Sequence, residues 1–391
     1  MAEIDGFVAA GFDRVRDVFA ASFERGNEVG AGVCVYLDGR PVVDLWGGVA
    51  DQDSGREWTG DTLQLVWSVT KAMASASVHL LAQRGELDLD APVAEYWPEF
   101  AAQGKERVPV RLLLSHRVGL PALDEPVSVE DLLSWAPVVV ALARQRPFWA
   151  PGTRHGYHAE TFGFLVGEVV RRVSGRTIGR FFAEEIAQPN GIEFWIGLPA
   201  ELQDRVSTLI DPPAPTGAVD LSALPPAARE AVAAFTDPHS LTRRAFAITE
   251  PDYDANAPEV RAAELPASNG IGTARGIARF YAGLIGEVDG KRILAEDTMR
   301  SALVEQARGM DEILKRPSRF GSGFMMSIDG GFPLGGPTSF GHPGKGGAVG
   351  FGDPERGLAF GYAPNRMLVG VAGDSRSADL LAAVHAALPR R

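Results

Sequence analysis

Hydrophobic positions follow strand-like patterns near both ends of the chain and helical spacing through much of its middle. Two strand-like runs, 31–37 and 41–46, are joined by Asp38-Gly39-Arg40, which predicts an antiparallel hairpin. The strand pattern returns from about residue 318, in short runs at 324–328, 350–352, 358–362 and 367–372. Helical periodicity predicts helices at 7–25, 162–173 and 378–388.

This distribution predicts an α/β (α+β) fold with two lobes. Residues 1–85 and 318–391 together would form one lobe, an antiparallel sheet flanked by helices. Residues 86–317 would form a second, mostly helical lobe, and 391 residues suffice for both. Within that lobe, residues 203–262 are rich in Pro, Ala and Asp and only weakly periodic, so we expect a long variable excursion that walls the substrate pocket.

The composition narrows the partners more than the chemistry. With 38 basic and 50 acidic side chains, the formal net charge is −12, which argues against nucleic acid or an anionic membrane as a partner. The single cysteine, Cys34, lies in a strand-like run and is interpreted as a small buried hydrophobic residue. The N-terminus has no signal-like apolar region and no apolar run reaches membrane-spanning length. We therefore expect a cytoplasmic protein, as a monomer or a homo-oligomer.

The segment 66–71, Val-Trp-Ser-Val-Thr-Lys, leads into an amphipathic helical pattern that Gly85 is placed to end. Ser68 would stand at the helix N-terminus, with the amine of Lys71 one turn further along the same face. The positive end of the helix dipole favours the charge that a serine nucleophile develops. A Ser-x-x-Lys pattern by itself also fits an N-cap serine with a solvated lysine. The apolar residues around Lys71 instead favour a partly buried amine.

Two further segments carry candidate chemistry. Residues 149–158 are rich in turn-forming residues and precede the 162–173 helix, so Tyr157 would project from a loop into a cleft. Residues 340–347 are dense in glycine and precede a strand pattern. Glycines there would let a substrate approach the backbone closely and leave N–H groups available as oxyanion donors.

Taken together, these motifs resemble those of a known superfamily. Ser68-Val69-Thr70-Lys71, the Tyr157 loop and His342-Pro343-Gly344 occur in the order and at the spacing of the three motifs of serine β-lactamases and penicillin-binding proteins. More narrowly, they resemble the class C β-lactamase-like esterases, the family VIII carboxylesterases. Ser268-Asn269-Gly270 is a supporting stretch, and the resemblance runs from about residue 8 to the C-terminus.

The resemblance implies an acyl-transfer hydrolase with an acyl-enzyme on Ser68. Lys71 and Tyr157 would relay the proton, and water activated by Tyr157 would release the acyl group. The backbone N–H groups of Ser68 and Lys345 would form the oxyanion hole, with His342 and Gly344 in the substrate-binding segment. Free lysine and tyrosine titrate near 10, so either pKa must drop by about 3 units for that group to act as a base at neutral pH. The sequence leaves open which of the two is the base.

Two departures from the β-lactamase pattern favour esters over β-lactams. Tyr157-His158-Ala159 lacks the asparagine usual at the third position. His342-Pro343-Gly344 stands in place of Lys-Thr-Gly, whose cation and hydroxyl grip the carboxylate of the antibiotic. Lys345 and Arg154 are candidate replacements for that cation. We therefore expect a serine esterase for small carboxylic esters of modest acyl length, with weak β-lactam hydrolysis as a side activity.

Other functions fit parts of the same pattern. A D-amino-acid peptidase or amidase, or an acyltransferase, would use the same acyl-enzyme. A non-catalytic ligand-binding module would be expected to lose Ser68 or Lys71, and both are present. No cofactor or metal is expected, because His155, His158 and Glu160 do not have the spacing of a helix-borne zinc site. The chain also lacks the Gly-x-Ser-x-Gly elbow of α/β-hydrolases and a phosphate-binding glycine-rich loop.

Overall fold

The computed structural model describes residues 3–212, 225–332, 334–368 and 374–388. Its strands are β1 (Ile4–Val8), β2 (Gly30–Leu37), β3 (Arg40–Asp51), β4 (Arg56–Glu57), β5 (Gln64–Leu65), β6 (Phe194–Trp195), β7 (Ile271–Gly272), β8 (Ala307–Met310), β9 (Pro317–Phe320), β10 (Met325–Met326), β11 (Phe340–Pro343), β12 (Val349–Asp353) and β13 (Leu358–Pro364). Its α-helices are α1 (Asp13–Glu24), α2 (Thr70–Gln83), α3 (Val93–Tyr96), α4 (Arg111–Leu114), α5 (Val129–Leu133), α6 (Ala136–Arg144), α7 (Thr161–Ser174), α8 (Ile178–Phe182), α9 (Pro226–Thr236), α10 (Leu241–Phe246), α11 (Pro258–Ala262), α12 (Ala274–Ile285), α13 (Glu296–Ala302) and α14 (Ser375–Ala387).

The two ends of the chain meet in one antiparallel sheet. Its strand order is β1-β3-β2-β13-β12-β11-β10-β9-β8, with β4 paired to β3. β2 and β3 form the predicted hairpin, and β2 also pairs along its length with β13, so that Val35 faces Phe360. The fold class predicted from the sequence, an antiparallel sheet flanked by helices with further helices beyond it, is confirmed.

Alternating residues of β2 feed two hydrophobic cores on opposite faces of the sheet, as the strand period of two requires. Cys34 and Tyr36 belong to the core that contains α2, α7 and α12. Val33 and Val35 belong to the core under α1 and α14. Cys34 is a free, fully buried thiol, which confirms its interpretation as a small hydrophobic residue.

Helix α2 lies inside the molecule. Every residue from Thr70 to Leu81 is buried, so the helix is not amphipathic as the sequence pattern suggested. The hydroxyls of the small residues Ser75 and Ser77 donate to carbonyls one turn back, so these polar groups are satisfied while neighbouring elements pack against all sides of the helix. A buried helix gives the segment at its start a rigid support.

A second, three-stranded sheet fixes the segments on either side of the start of α2. β7 pairs with both β5 and β6. The Val66 amide donates to the carbonyl of Gly270 at 2.9 Å, and the Gly270 amide donates to the hydroxyl of Thr70 at 2.8 Å. Residues 66–70 and 267–270 are therefore held side by side.

The structure differs from the sequence predictions at the N-terminus and near the C-terminus. The helix expected over 7–25 spans only Asp13–Glu24, because Phe7 and Val8 belong to β1 and pair with β3 at the sheet edge. The strand expected at 367–372 is absent at Met367 and Leu368, and the rest of that run lies outside the described residues. The helices predicted at 162–173 and 378–388 are α7, one residue longer at each end, and α14, which begins three residues earlier and ends one residue earlier than predicted.

The predicted division into two lobes, 1–85 with 318–391 and 86–317, remains a prediction. Two elements inside the stretch 86–317 belong with the sheet: α12 packs against β2, β12 and β13, and β8 is the last strand of the large sheet. The excursion 203–262 holds three helices, α9 to α11, in its described part, and residues 213–224 lie outside it. None of the helices that the structure describes is long and apolar enough to cross a membrane.

Candidate active site

Ser68 lies in a short 3-10 turn, Trp67–Val69, that connects β5 to α2. Trp67 has a left-handed backbone, with φ of 51°, which is uncommon for a bulky residue and is often found where a structure fixes a functional group. The hydroxyl of Thr70 donates to the carbonyl of Trp67 and holds this conformation. The turn presents the Ser68 hydroxyl at the start of the buried helix.

The side chains of Lys71 and Tyr157 both contact the hydroxyl of Ser68. The Tyr157 phenol donates to Ser68 Oγ at 2.8 Å. Lys71 Nζ donates to the same oxygen at 3.1 Å. The sequence separation between Tyr157 and Ser68 is 89 residues, so the fold itself creates this cluster.

Two backbone carbonyls hold the amine of Lys71. Its Nζ donates to the carbonyl of Ala159 at 2.7 Å and to that of Ala267 at 2.9 Å. The side chain is 1% exposed, and this burial lowers the pKa of Lys71 from its ordinary value to about 7, although the nearby Glu160 carboxylate raises it. Lys71 is therefore not the solvated lysine of the alternative interpretation.

Tyr157 is buried with its phenol directed at Ser68. Burial raises the pKa of Tyr157 well above its ordinary value, and the hydrogen bond to Ser68 opposes this only in part. Of the two candidate bases, the amine of Lys71 is thus the one whose neutral form is present near pH 7. Tyr157 keeps its proton and can donate it.

A buried carboxylate that sequence reasoning missed fixes the Tyr157 loop. Asp311 accepts hydrogen bonds from the amides of Tyr157, Ile313 and Leu314, each at 2.9 Å. Its other oxygen accepts the hydroxyl of Ser318 at 2.9 Å. Asp311 lies 154 residues from Tyr157 in the sequence, and no local pattern marks it.

The histidines around Tyr157 are neutral scaffolding. The amide of Leu120 donates to His158 Nε2 at 3.0 Å, so the proton of this ring is on Nδ1, which donates to the carbonyl of Gly156. His116 Nδ1 accepts from the amide of His158 at 3.0 Å. Burial lowers the pKa of His158 to about 3 and that of His116 well below its ordinary value.

His155 and Glu160, whose spacing does not match a zinc site, have separate hydrogen-bond partners. His155 bonds to Ser318, and Glu160 accepts from Ser268. Within the described ranges, no group of three or more His, Cys, Asp or Glu residues is arranged to hold a metal ion.

The third predicted segment lies beside the Ser68 turn. Gly344 packs so closely on the carbonyl of Val66 that a Cβ atom would come within 2.3 Å of that oxygen. This contact brings the 344–345 backbone next to the start of the Ser68 turn, and the predicted oxyanion donors, Ser68 and Lys345, line the same cavity.

The side chains of this segment divide between the interior and the cavity. His342, on β11, is buried, its ring centroid is 5.5 Å from that of Tyr157, and its Nδ1 donates to the carbonyl of Pro343. Burial lowers its pKa to about 3. Lys345 is exposed, with Nζ 4.7 Å from the centre of the Trp67 ring. Arg154, the other candidate cation, pairs with Glu312 at 3.3 Å and does not line the cavity.

A cavity of about 220 Å³ opens at Ser68. Lys345, Trp67 and Glu160 form one side of it, and residues of the excursion, including Phe246 and Tyr253, form the other. Of the 203–262 stretch, which was predicted to wall the pocket, residues between 235 and 253 line this cavity. A wider groove of about 770 Å³ adjoins the cavity and shares Arg243 and Asp252 with it.

Two further polar residues at the site, Glu160 and Ser268, are not predicted as functional residues by the sequence. Their side chains bond to each other at 2.6 Å, across 108 residues of sequence. No local sequence pattern marks this pair, because the feature that links it to the site is visible only in the fold: each residue directly follows one, Ala159 or Ala267, whose carbonyl accepts from Lys71.

A serine hydroxyl supported by a buried amine and a phenol, at the start of a helix beside an antiparallel sheet, defines a class of enzymes, the serine hydrolases of the β-lactamase fold. Residues 15–384 match the β-lactamase family, and the chain belongs to that family. The resemblance of its three motifs to the serine β-lactamase superfamily, and to its esterase branch, is thereby confirmed at the level of family and fold.

Three similar proteins illustrate the relationship. The chain is 36% identical to esterase/β-lactamase LipL of Mycobacterium tuberculosis over 338 residues. The aligned region covers 84% of this chain and 75% of LipL. The crystal structure of a family VIII carboxylesterase has a TM-score of 0.85 and 38% identity, covering 99% of this chain and 100% of the other. A penicillin-binding protein homologue from Caulobacter crescentus has a TM-score of 0.86 and 35% identity, with the same coverage.

Proposed function

We propose that this serine hydrolase is a carboxylesterase that cleaves small carboxylic esters through an acyl-enzyme on Ser68. The observation that carries the proposal is the double contact at Ser68 Oγ, with Lys71 Nζ at 3.1 Å and the Tyr157 phenol at 2.8 Å. An amine with a pKa of about 7 and a protonated phenol, both on the attacking oxygen, supply a base and an acid for acyl transfer.

In the acylation step, the neutral amine of Lys71 accepts the proton of Ser68 as Oγ attacks the ester carbonyl. The carbonyl oxygen takes the negative charge between the backbone N–H groups of Ser68 and Lys345. When the C–O bond to the alcohol breaks, Tyr157 gives its proton to the leaving oxygen, and the ammonium of Lys71 restores that proton. Deacylation repeats these transfers with water in the place of the alcohol, so that Lys71 activates the water, and not Tyr157 as the resemblance implied.

The pocket supports esters of modest acyl length. A cavity of about 220 Å³ beside Ser68 has apolar walls at Phe246 and Ile248, which suits a short acyl chain. The family VIII carboxylesterase and LipL, both named as esterases, agree with this substrate class.

One observation favours weak β-lactam turnover as a second activity. Lys345 places an ammonium at the mouth of the cavity beside Trp67, where it can meet the carboxylate of a β-lactam. LipL carries β-lactamase in its name, and the solved neighbour from Caulobacter crescentus is a penicillin-binding protein homologue.

The proposal is tested by comparing three chromogenic substrates on the same enzyme. We expect turnover of a short-acyl nitrophenyl ester to exceed that of a chromogenic cephalosporin and of a D-amino-acid anilide. A preference for the anilide would indicate an amidase. Turnover of none, without covalent labelling by a serine-directed phosphonate, would indicate a ligand-binding module and contradict the proposal.

A further inference from the structure

The two carbonyls that hold Lys71 come from segments far apart in the sequence. Ala159 lies on the Tyr157 loop, just before α7, and Ala267 lies just before β7. The side chains that directly follow these two residues, Glu160 and Ser268, form a hydrogen bond of 2.6 Å, from Ser268 Oγ to Glu160 Oε2. This side-chain bond joins the two backbone segments at the point where they grip the amine.

The hydrogen bond is buried, so solvent screens the charge of Glu160 only weakly. Glu160 and Ser268 are 8% and 2% exposed, and burial raises the pKa of Glu160 above its ordinary value. The charge of Lys71 is the main effect that opposes this rise, and the hydrogen bond from Ser268 adds to the opposition. In a poorly solvated site, a carboxylate stabilises a nearby ammonium and disfavours the neutral amine.

The other ionisable groups around the amine do not change charge near neutral pH. His116, His158 and His342 are buried with lowered pKa values and stay neutral. Tyr157 and Tyr253 have raised pKa values and stay protonated. Lys345 is exposed and acts on Glu160, and Asp311 acts on Tyr157 rather than on Lys71. Glu160 is thus the one anion, among the described groups, that acts on Lys71.

We propose that Glu160 and Ser268 are positioning residues for Lys71. Their hydrogen bond holds the carbonyls of Ala159 and Ala267 in place around the amine, and the charge of Glu160 sets the pH at which the amine becomes a base. The proposal builds on the proposed function, because it takes Lys71 to be the base of that reaction. It assigns no contact with the substrate to Glu160.

Three variants separate the charge from the hydrogen bond. Glu160→Gln removes the charge and keeps an oxygen that can accept from Ser268. Ser268→Ala keeps the carboxylate and removes the bond, and Ser268→Thr restores a hydroxyl. The matched control is Glu264→Gln, since Glu264 is a partly buried carboxylate that accepts a hydrogen bond from a hydroxyl, that of Thr177, at 2.6 Å and does not line the cavity at Ser68.

The measurement is the pH dependence of two rates. One is kcat/KM for a nitrophenyl ester, and the other is the rate at which an alkyl fluorophosphonate labels Ser68, followed by intact-protein mass spectrometry. We expect Glu160→Gln to shift the midpoint of the rising limb of both profiles to lower pH by about one unit or more, because a neutral neighbour no longer favours the ammonium. KM should change little.

For Ser268→Ala we expect about a tenfold or greater loss of kcat, because the carbonyls of Ala159 and Ala267 would hold the Lys71 amine less firmly. The midpoint should shift less than in Glu160→Gln. Ser268→Thr should recover most of the lost rate. Glu264→Gln should leave both midpoints where they are in the native enzyme.

If the midpoint in Glu160→Gln does not move, the proposal is wrong. A rise in KM without a shift of the midpoint would also overturn it, because Glu160 would then be a substrate contact. If thermal unfolding shows that Glu160→Gln does not fold, native rates and midpoint in Ser268→Ala would overturn it instead. If the native enzyme is labelled but does not turn over the ester, the proposed esterase function is wrong. The pH dependence of the labelling rate would still test the role of Glu160.

Discussion

At the scale of single residues, the site depends on a lysine that can lose its charge. An arginine at position 71 would stay protonated, whereas the pKa of a buried amine can fall toward neutrality. Burial lowers the pKa of Lys71 to about 7, and the same burial raises that of Tyr157. One environment therefore separates the two groups into a base and an acid.

This separation predicts the pH profile. We expect kcat/KM to rise through about pH 7, because Lys71 must be neutral to accept the Ser68 proton. Tyr157→Phe should lower kcat by two orders of magnitude or more but leave that midpoint in place, and Lys71→Ala should remove the limb along with the activity. A midpoint that vanished in Tyr157→Phe while it survived in Lys71→Ala would reverse the two roles.

At the scale of elements, the segment from β11 to β12 works through its backbone. Gly344 has φ of −101°, which any residue can adopt, so glycine is needed there for space rather than for conformation. Without a side chain, the 344–345 backbone reaches the Ser68 turn.

Gly344→Ala should therefore lower kcat by about 100-fold or more, since the added Cβ would push the Lys345 amide away from the oxyanion. KM and the thermal unfolding temperature should change less. Gly286→Ala is the control, because a Cβ at Gly286 meets nothing closer than 3.9 Å and its φ of −157° suits alanine. Equal activity of the two variants would exclude this oxyanion hole.

The same elements show how far the sequence could predict the site. Ser68 and Lys71 were predictable because a single helix sets their spacing, and the 38–39 hairpin because turn residues are local signals. Asp311 and the Glu160–Ser268 bond were not, since each joins segments more than 100 residues apart. His342 was predicted to lie in the substrate-binding segment, but only the fold shows that its ring is buried, with its centroid 5.5 Å from that of Tyr157.

At the scale of the whole molecule, the last helix supports both the fold and the site. Arg376, at the start of α14, is fully buried and pairs with Glu28 at 3.0 Å and with Asp374. It also donates to the carbonyl of Gly346 at 2.7 Å, in the turn that follows Lys345. One guanidinium thus joins the N-terminal region, α14 and the candidate oxyanion segment.

Arg376→Met should lower the free energy of unfolding by about 3–5 kcal/mol, because it leaves Glu28 buried without its ion-pair partner. Urea unfolding measures this loss. Arg25→Met is the matched control. Arg25 pairs with Asp379 of the same helix, α14, at 3.5 Å, but both side chains are half exposed. Its replacement should lower the free energy of unfolding by at most about 1 kcal/mol. Similar losses in both variants would show that the buried pair has no special role.

Every role proposed for the site depends on Ser68 being the nucleophile. The most direct test combines fluorophosphonate labelling with ester turnover in the native enzyme and in Ser68→Ala. We predict one adduct per chain, on the peptide that contains Ser68, with loss of activity in proportion to labelling. Ser68→Ala should fold normally, take no label and lose ester turnover. An adduct on another residue, or more than a tenth of native activity in Ser68→Ala, would contradict the account.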